Sequence, residues 1–427
     1  MFHARHLPVL YSLVTAFYAS GVLADEPVQA QSVYDAIVQG KSVSQLRLRY
    51  ETVDQDNKAD DASAFTLQTL LGWQTASFFD TSITAQLINV SHLNQDFYDN
   101  NMGRGHPSQV PTVPDPEITD INQLYIDYTG IPKTSVRLGR QIIRIDNTRF
   151  VGDIVFRQVS QVFDGLTVTN HTLSNSEILF GHYEHMRQST GKYRNTNFDI
   201  AHFSYKYLPK ASVTAYGYFI DQADTGQVTG VADNAHKDIG IRFDGSMDIN
   251  QDWRWLHTFE YAKQTAYQGG SHEIDASYSK MGLGLGYQHW FVRVDQERLG
   301  SHDGLYAFQT PMATLHPFQG WADLFSVTPQ QGMVDRFLTI GGNMNQWTLL
   351  SELHHLSADM HFQTPTGLGQ HYGNELDLSL AYQFTPKFQG KLEYAQFRED
   401  DILGATATAS TRKADVTKSW ITLLYQF

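Results

Sequence analysis

From residue 43 to the C-terminus the chain repeats one pattern, about ten residues of alternating apolar and polar positions followed by a polar break. A period of two sends successive side chains to opposite faces of a strand. In 43–52, Leu46, Leu48 and Tyr50 share one face, while Gln45, Arg47, Arg49 and Glu51 share the other. A strand face carrying two arginines and a glutamate has to be wet, and a barrel lumen supplies that water. The final stretch, 417–427, follows the same rule: Ser419, Ile421, Leu423, Tyr425 and Phe427 form a mainly greasy face, and Lys418, Trp420, Thr422, Leu424 and Gln426 a mixed one.

The same template predicts strands at 65–76, 83–92, 121–128, 135–143, 162–170, 177–185 and 198–207. Further ones follow at 212–221, 237–247, 253–265, 273–287, 290–298, 334–342, 347–357, 374–384 and 388–398. With the first and last strands this makes about eighteen, an even number as bacterial single-chain barrels have. Connections sort by length. Long polar ones (53–63, 93–120, 145–161, 222–236, 299–333, 358–373, 399–416) alternate with tight ones such as 129–133, 208–210, 249–252 and 385–387. Long loops on one rim and short turns on the other predict an all-β, transmembrane antiparallel β-barrel with extracellular loops, periplasmic turns and both termini in the periplasm.

The first 24 residues read as a signal peptide, with Arg5 between His3 and His6, a short apolar core at 7–18, and Val22-Leu23-Ala24 before a cleavage at Asp25. Residues 25–42 read as a periplasmic N-terminal segment, either an unstructured lead-in or a short helix with Val33, Ala36 and Ile37 on one side and Gly40 as a left-handed cap. The barrel then occupies 43–427, in the outer membrane of a Gram-negative cell.

Composition agrees with a barrel once strands, not helices, are taken to cross the membrane. Mean hydropathy is negative, because barrel strands show lipid only at every second residue. The 22 Tyr and 25 Phe far outnumber the 7 Trp and can furnish interfacial girdles. With no Cys, an exported chain needs another source of rigidity, and a closed barrel is one. The net charge of −14 becomes −15 when Arg5 leaves with the leader, which argues against nucleic acid as a partner.

If the apolar set faces lipid, the lumen receives Arg47, Arg49, Arg137, Arg242, Arg254, Arg293 and Lys391, interleaved with Asp127, Asp238, Asp244, Glu260, Asp295, Glu375, Asp377 and Glu393. Such rows either orient polar solutes or brace the wall as ion-pair ladders. The connection after the fifth strand is basic, carrying Arg140, Arg144, Arg149 and Arg157; a bulge at Gly139 would turn Arg140 and Arg144 inward. Its Phe150, Val151, Ile154 and Phe156 are too apolar for a solvated tip, so the loop is expected to fold into the pore and narrow it.

Three segments carry a family resemblance: RLRYETVDQDNKADDASAFTLQTLLGW, RLGRQIIRIDNTRFVGDIVFRQVSQVFDG, and FQTPMATLHPFQGWADLF with its Gln309, Thr310, Pro311, Ala313, Thr314, Leu315, His316, Gly320, Trp321, Ala322 and Asp323. Together with the terminal Phe they resemble the alginate-export family of outer-membrane porins. The resemblance implies a barrel with an arginine-rich, anion-selective constriction passing a uronate polysaccharide, and on this chain the candidates are Arg47, Arg49, Arg137, Arg140, Arg144 and Arg157. The chain departs from alginate exporters in that its periplasmic turns all read short.

Other chemistry is thinly represented. His182, Glu184 and His185, the pair His354 and His355, and His202 suggest metal, but strand neighbours point to opposite faces, so no metal or other cofactor is expected. Ser301, His302 and Asp303 are merely adjacent and do not make an enzyme. The expected partners are outer-membrane lipid and lipopolysaccharide, an anionic solute, and the barrel assembly machinery through Phe427, with the barrel a monomer or trimer. A general or cation-favouring porin and a closed adhesion or structural barrel remain open as alternatives. Deleting Phe427 should sharply lower the yield of heat-modifiable protein in the outer membrane; a truncated chain that inserts at wild-type yield overturns the reading of the last strand.

Overall fold

The computed structural model describes residues 29–93, 98–99, 109–221, 231–364, 367–401 and 414–427. The expected leader lies outside them, as do parts of the loops 93–120, 222–236 and 399–416. Eighteen barrel strands follow in order. They are β1 Gln45–Gln55, β2 Ala62–Gln74, β3 Thr81–His92, β4 Ile118–Tyr128, β5 Thr134–Gln141 and β6 Val162–Asn170. Next come β7 Ser176–Arg187, β8 Tyr193–Leu208, β9 Ala211–Asp221, β10 His236–Asp248, β11 Trp253–Ala266 and β12 Asp275–Tyr287. The last six are β13 Trp290–Leu299, β14 Met333–Met344, β15 Trp347–Thr364, β16 Gly367–Thr385, β17 Phe388–Glu399 and β18 Val416–Gln426.

Each strand pairs antiparallel with its sequence neighbours, and β18 returns to β1 in a ladder from Gln45 opposite Gln426 to Gln55 opposite Val416. The closing ladder leaves no edge, so both outer strands have their backbone groups satisfied. The expected alternation is present: Arg47, Arg49 and Glu51 on β1 are buried and Tyr50 between them is exposed. Ile241, Leu283, Val294, Ile340, Leu378 and Ile421 belong to an exposed apolar belt around the wall. At the tight-turn end the belt meets aromatics, with Trp253 against Tyr287 and Trp347 against Tyr382 at ring separations of 4.8 and 4.6 Å. Tyr425 and Phe427 close this girdle edge-to-face.

Two expectations are corrected. The helix exists, at Val33–Val38, with Ser32 as N-cap accepting from the Asp35 backbone N–H, but it ends at Gln39 with φ −85° and no left-handed cap. Gly40 is small for another reason, since a Cβ there would collide with the Trp73 indole. The tract 358–373 is not a loop. β15 runs on to Thr364 and β16 begins at Gly367, with register shifts at Leu356/Ser357 and between Ser357 and Phe362. Those irregularities break the period of two, which is why the pattern appears to stop there.

The lumen is filled from the long-loop rim. Residues 142–161 and 300–332 both turn inward and bond to each other, Gly152 N–H to the Met312 carbonyl at 2.8 Å and Thr314 N–H to the Thr148 carbonyl at 3.1 Å. Phe150 enters a nest of inward rings, 5.3 Å from Tyr216, 5.1 Å from Tyr278 and 5.8 Å from Phe308. Because Leu283 lies in the outer belt above Tyr287, Leu283→Arg should cost about 2–4 kcal/mol of barrel stability. Denaturant titration of the refolded protein in bilayers measures this, and an unchanged midpoint refutes the lipid-facing assignment.

Candidate functional site

The site is the neck where residues 155–158 cross the lumen in front of β1. Arg47 and Arg49 stand two residues apart on the same inward face, and both donate to backbone carbonyls of the loop. Arg47 Nη1 donates to Val155 O at 2.7 Å, Nη2 to the Arg157 carbonyl, and Nε to Gln158 Oε1 at 2.9 Å. Arg49 donates from Nη1 to the Phe156 carbonyl and from Nε to Thr422 Oγ1 at 3.1 Å, its guanidinium 4.3 Å from the Phe156 ring centre. Gln158 is held in turn by Thr66, through a 2.7 Å bond from Nε2, and by Asp115, which accepts from its backbone N–H.

Arg157 turns the other way and gathers carboxylates: Glu51 at 3.0 Å, Asp323 at 2.8 Å and Asp115 at 3.8 Å. Asp323 is shared with Lys418 at 3.4 Å and with His316 Nδ1 at 2.9 Å. Burial alone would raise the Asp323 carboxyl, but His316, Lys418 and Arg157 reverse this and hold it well below the usual carboxylate range. The Phe156 ring is stacked on His316 with centroids 3.3 Å apart and meets the Trp420 edge at 5.5 Å. Burial draws the His316 imidazole below its ordinary value against the opposing pull of Asp323. Counting Arg47, Arg49, Arg157, Lys391 and Lys418 against Glu51, Asp115, Asp323 and Glu393 gives five cations to four anions.

The other sequence candidates are spread around the wall. Arg242 pairs with Asp244 at 3.0 Å and Glu260 at 3.3 Å, and Arg293 forks onto Asp295 at 2.7 Å while donating to Thr258, which bonds Asp244. Arg137 forks onto Asp127, its partner across the β4–β5 ladder, at 2.7 and 3.0 Å. Arg254 sits at the tight-turn end and donates to the Gln288 carbonyl at 2.6 Å. Arg144 pairs with Asp153 in the loop and is half-exposed. Arg140 faces outward. The β5 ladders run without a register shift through Gly139, which takes a φ of +127°, so Arg140 stays opposite the exposed Leu124 and forks onto Asp164 at 2.7 and 2.8 Å.

Sequence reasoning did not single out Arg149 or Glu297 as site residues, yet their buried 2.9 Å pair pins the loop to β13. Arg149 stood in the basic run that was the available signal. Asp115 had none, lying in a Pro-rich loop whose path alternation does not describe. His354 turns inward and His355 outward, as neighbours on a strand do. The Ser301 hydroxyl donates to the Gln330 carbonyl and His302 faces the Glu273 carbonyl, so the two form no relay.

The family model described as alginate export matches residues 42–297, well over half of the chain, and the segment Phe308–Phe325 lies beyond it. No curated protein matches the sequence. Among solved structures, Pseudomonas aeruginosa OccK9 (OpdG) aligns at a TM-score of 0.68 and 12% identity, covering 91% of this chain and 98% of its own. Acinetobacter baumannii OccAB2 aligns at 0.67 and 11%, with 92% and 98% covered. Pseudomonas aeruginosa OpdK with vanillate aligns at 0.63 and 12%, with 91% and 98% covered. At these identities the likeness is one of fold, the closed eighteen-strand antiparallel barrel. The matched family and the barrel wall together make the chain an outer-membrane β-barrel channel of porin architecture, and it belongs to the alginate export family.

Proposed function

We propose that the chain passes anionic solutes, uronate oligo- or polysaccharide among them, by diffusion through a neck made positive by Arg47 and Arg49. One observation carries this reading: both guanidiniums spend their hydrogen bonds on neutral acceptors, so neither charge is cancelled by a bonded carboxylate. Fixed cations in a narrow, poorly solvated neck favour anions entering beside them, and a guanidinium stays charged at any accessible pH. Lys391 and Lys418, on the neighbouring β17 and β18, flank these arginines but are themselves paired with Glu393 and Asp323. The inclusion of vanillate, a carboxylate, in the OpdK structure is consistent with this class of solute. On this reading residues 1–24 are removed on export, 25–42 stay in the periplasm, and lipopolysaccharide and the assembly machinery are the protein's envelope partners.

A second reading has an observation of its own. Asp335, Glu352, Glu375 and Asp377 crowd the inner face of β14–β16, and an acidic sector of that size favours cations. Bilayer recordings under a salt gradient decide between them. Anion-over-cation permeability is expected at low salt, falling as ionic strength shortens the screening length to about 8 Å or less. Arg49→Glu with Lys391→Glu should reduce or reverse the selectivity, whereas Arg140→Glu, which faces outward, should leave the reversal potential where it was. Oligo-uronates should block the current more than neutral oligosaccharides of equal length. A wild-type barrel that favours cations selects the cation reading, and a double variant with an unchanged reversal potential overturns the role given to these residues.

A further inference from the structure

We infer that the inner wall of β14–β16 holds a divalent transition-metal ion of the zinc type, bound by Glu352, His354 and Asp377. Alternation separates His354 from His355, but it places His354 on the same face as Glu352, two residues earlier, and the ladder sets Asp377 directly opposite Glu352. One ligand atom from each of the three lies within 4.8 Å of the others. His354 Nε2 is 3.5 Å from Asp377 Oδ2 and 3.9 Å from Glu352 Oε2. These separations are long for hydrogen bonds. They suit two atoms bound to one ion, since metal–ligand lengths of about 2.0–2.2 Å at a tetrahedral angle put neighbouring ligands about 3.4 Å apart.

The surroundings are those of a supported ligand set. Asp335 accepts from His354 Nδ1 at 2.9 and 3.0 Å, which leaves Nε2 facing the two carboxylates. A carboxylate behind a histidine in this way orients the ring and raises its basicity toward a metal. Phe337 stacks on the ring at 4.9 Å and fixes its plane. Thr339 donates to Glu352 Oε1 at 2.9 Å, leaving Oε2 to turn toward the histidine. His354 is 3% exposed and Asp377 0%, and within this cluster His354 Nε2 and Asp377 Oδ1 have no hydrogen-bond partner. Buried polar atoms without partners are costly, and an imidazole nitrogen left so between the Glu352 and Asp377 carboxylates calls for a ligand that satisfies it. One imidazole with two carboxylates suits zinc, cobalt or a similar borderline ion better than calcium or magnesium, which take oxygen ligands.

The ion would also serve the inturned loop. Trp321 N–H donates to Asp377 Oδ2 at 3.3 Å and Ala322 N–H to Glu375 Oε1 at 2.6 Å, so the ligand Asp377 and its neighbour Glu375 anchor residues 321–322 to the wall. The test uses the full mature barrel, without a histidine tag, purified in detergent, stripped with chelator and dialysed against Zn2+ or Co2+. Elemental analysis should find one ion per chain, and Co2+ should give the intense visible band of a tetrahedral site with a nitrogen ligand. Glu352→Gln and Asp377→Asn should bring metal content to background, Asp335→Asn should weaken affinity by about 10–100-fold, and His355→Ala should change nothing. Each variant is first checked for heat-modifiable migration. A wild-type barrel that retains none of Zn2+, Co2+, Mn2+ and Ni2+ overturns the proposal, as does a folded Glu352→Gln that retains as much as wild type. If neither ligand variant folds, the cobalt spectrum of the wild type decides alone, because a site of water and carboxylate oxygens lacks the intense band.

Discussion

A bilayer offers no water to an unpaired backbone group, and every other feature of this chain follows from how that constraint is met. Eighteen strands closed by the β1–β18 ladder leave no N–H or C=O row facing lipid. Closure fixes the direction of every side chain, since inward and outward positions then alternate all the way round. Half of each strand can therefore be polar without cost from lipid, and the chain uses that freedom to place arginines, aspartates and glutamates on the inner wall. What closure does not supply is solvent for them, because the lumen is itself filled by 142–161 and 300–332.

The inturned loops are thus the wall's counter-charges as much as its plug. Arg149 reaches Glu297 on β13, Arg157 reaches Glu51 on β1, and carbonyls of 155–157 cap Arg47 and Arg49. Asp323 from the other loop closes the group by meeting Arg157, His316 and Lys418 at once. Aromatic contacts run between these charges, with Phe150 among tyrosines and Phe156 between His316 and the guanidiniums of Arg49 and Arg157.

How far the sequence told this can be read residue by residue. Strand positions were legible because lipid on one side and charge on the other enforce a period of two, and β6 comes out at the expected 162–170. Inward-facing Arg47, Arg49, Arg242 and Arg293 were legible for the same reason. Arg140 was not, since its face turns on whether Gly139 inserts a residue into the ladder or merely adopts a positive φ within it. The β15–β16 hairpin was hidden by its register shifts. Pairings such as Arg157 with Asp115 and Asp323 join loops far apart in the chain, and no local pattern records where an irregular loop crosses a lumen. The grouping of Glu352, His354 and Asp377 was concealed in a different way. Neighbouring histidines drew attention to a pair that alternation splits, while the relevant spacing was i to i+2 plus one step across the ladder.

Buried ion pairs contribute little net stability over well-packed apolar residues, because two desolvation costs offset the attraction; their better-attested use is to specify one arrangement among several. In this lumen the loops have many ways to collapse onto greasy rings, and apolar contact alone would not choose among them. A guanidinium fork is directional, and here Arg157 meets Glu51, Asp115 and Asp323 at once. Once that placement is fixed, the 155–157 carbonyls fall on Arg47 and Arg49, and the two cations are left with neutral partners. On the proposed reading, a positive neck is then a consequence of where the paired charges put the loop, and the arginine that braces the loop differs from the two that would set the potential beside it.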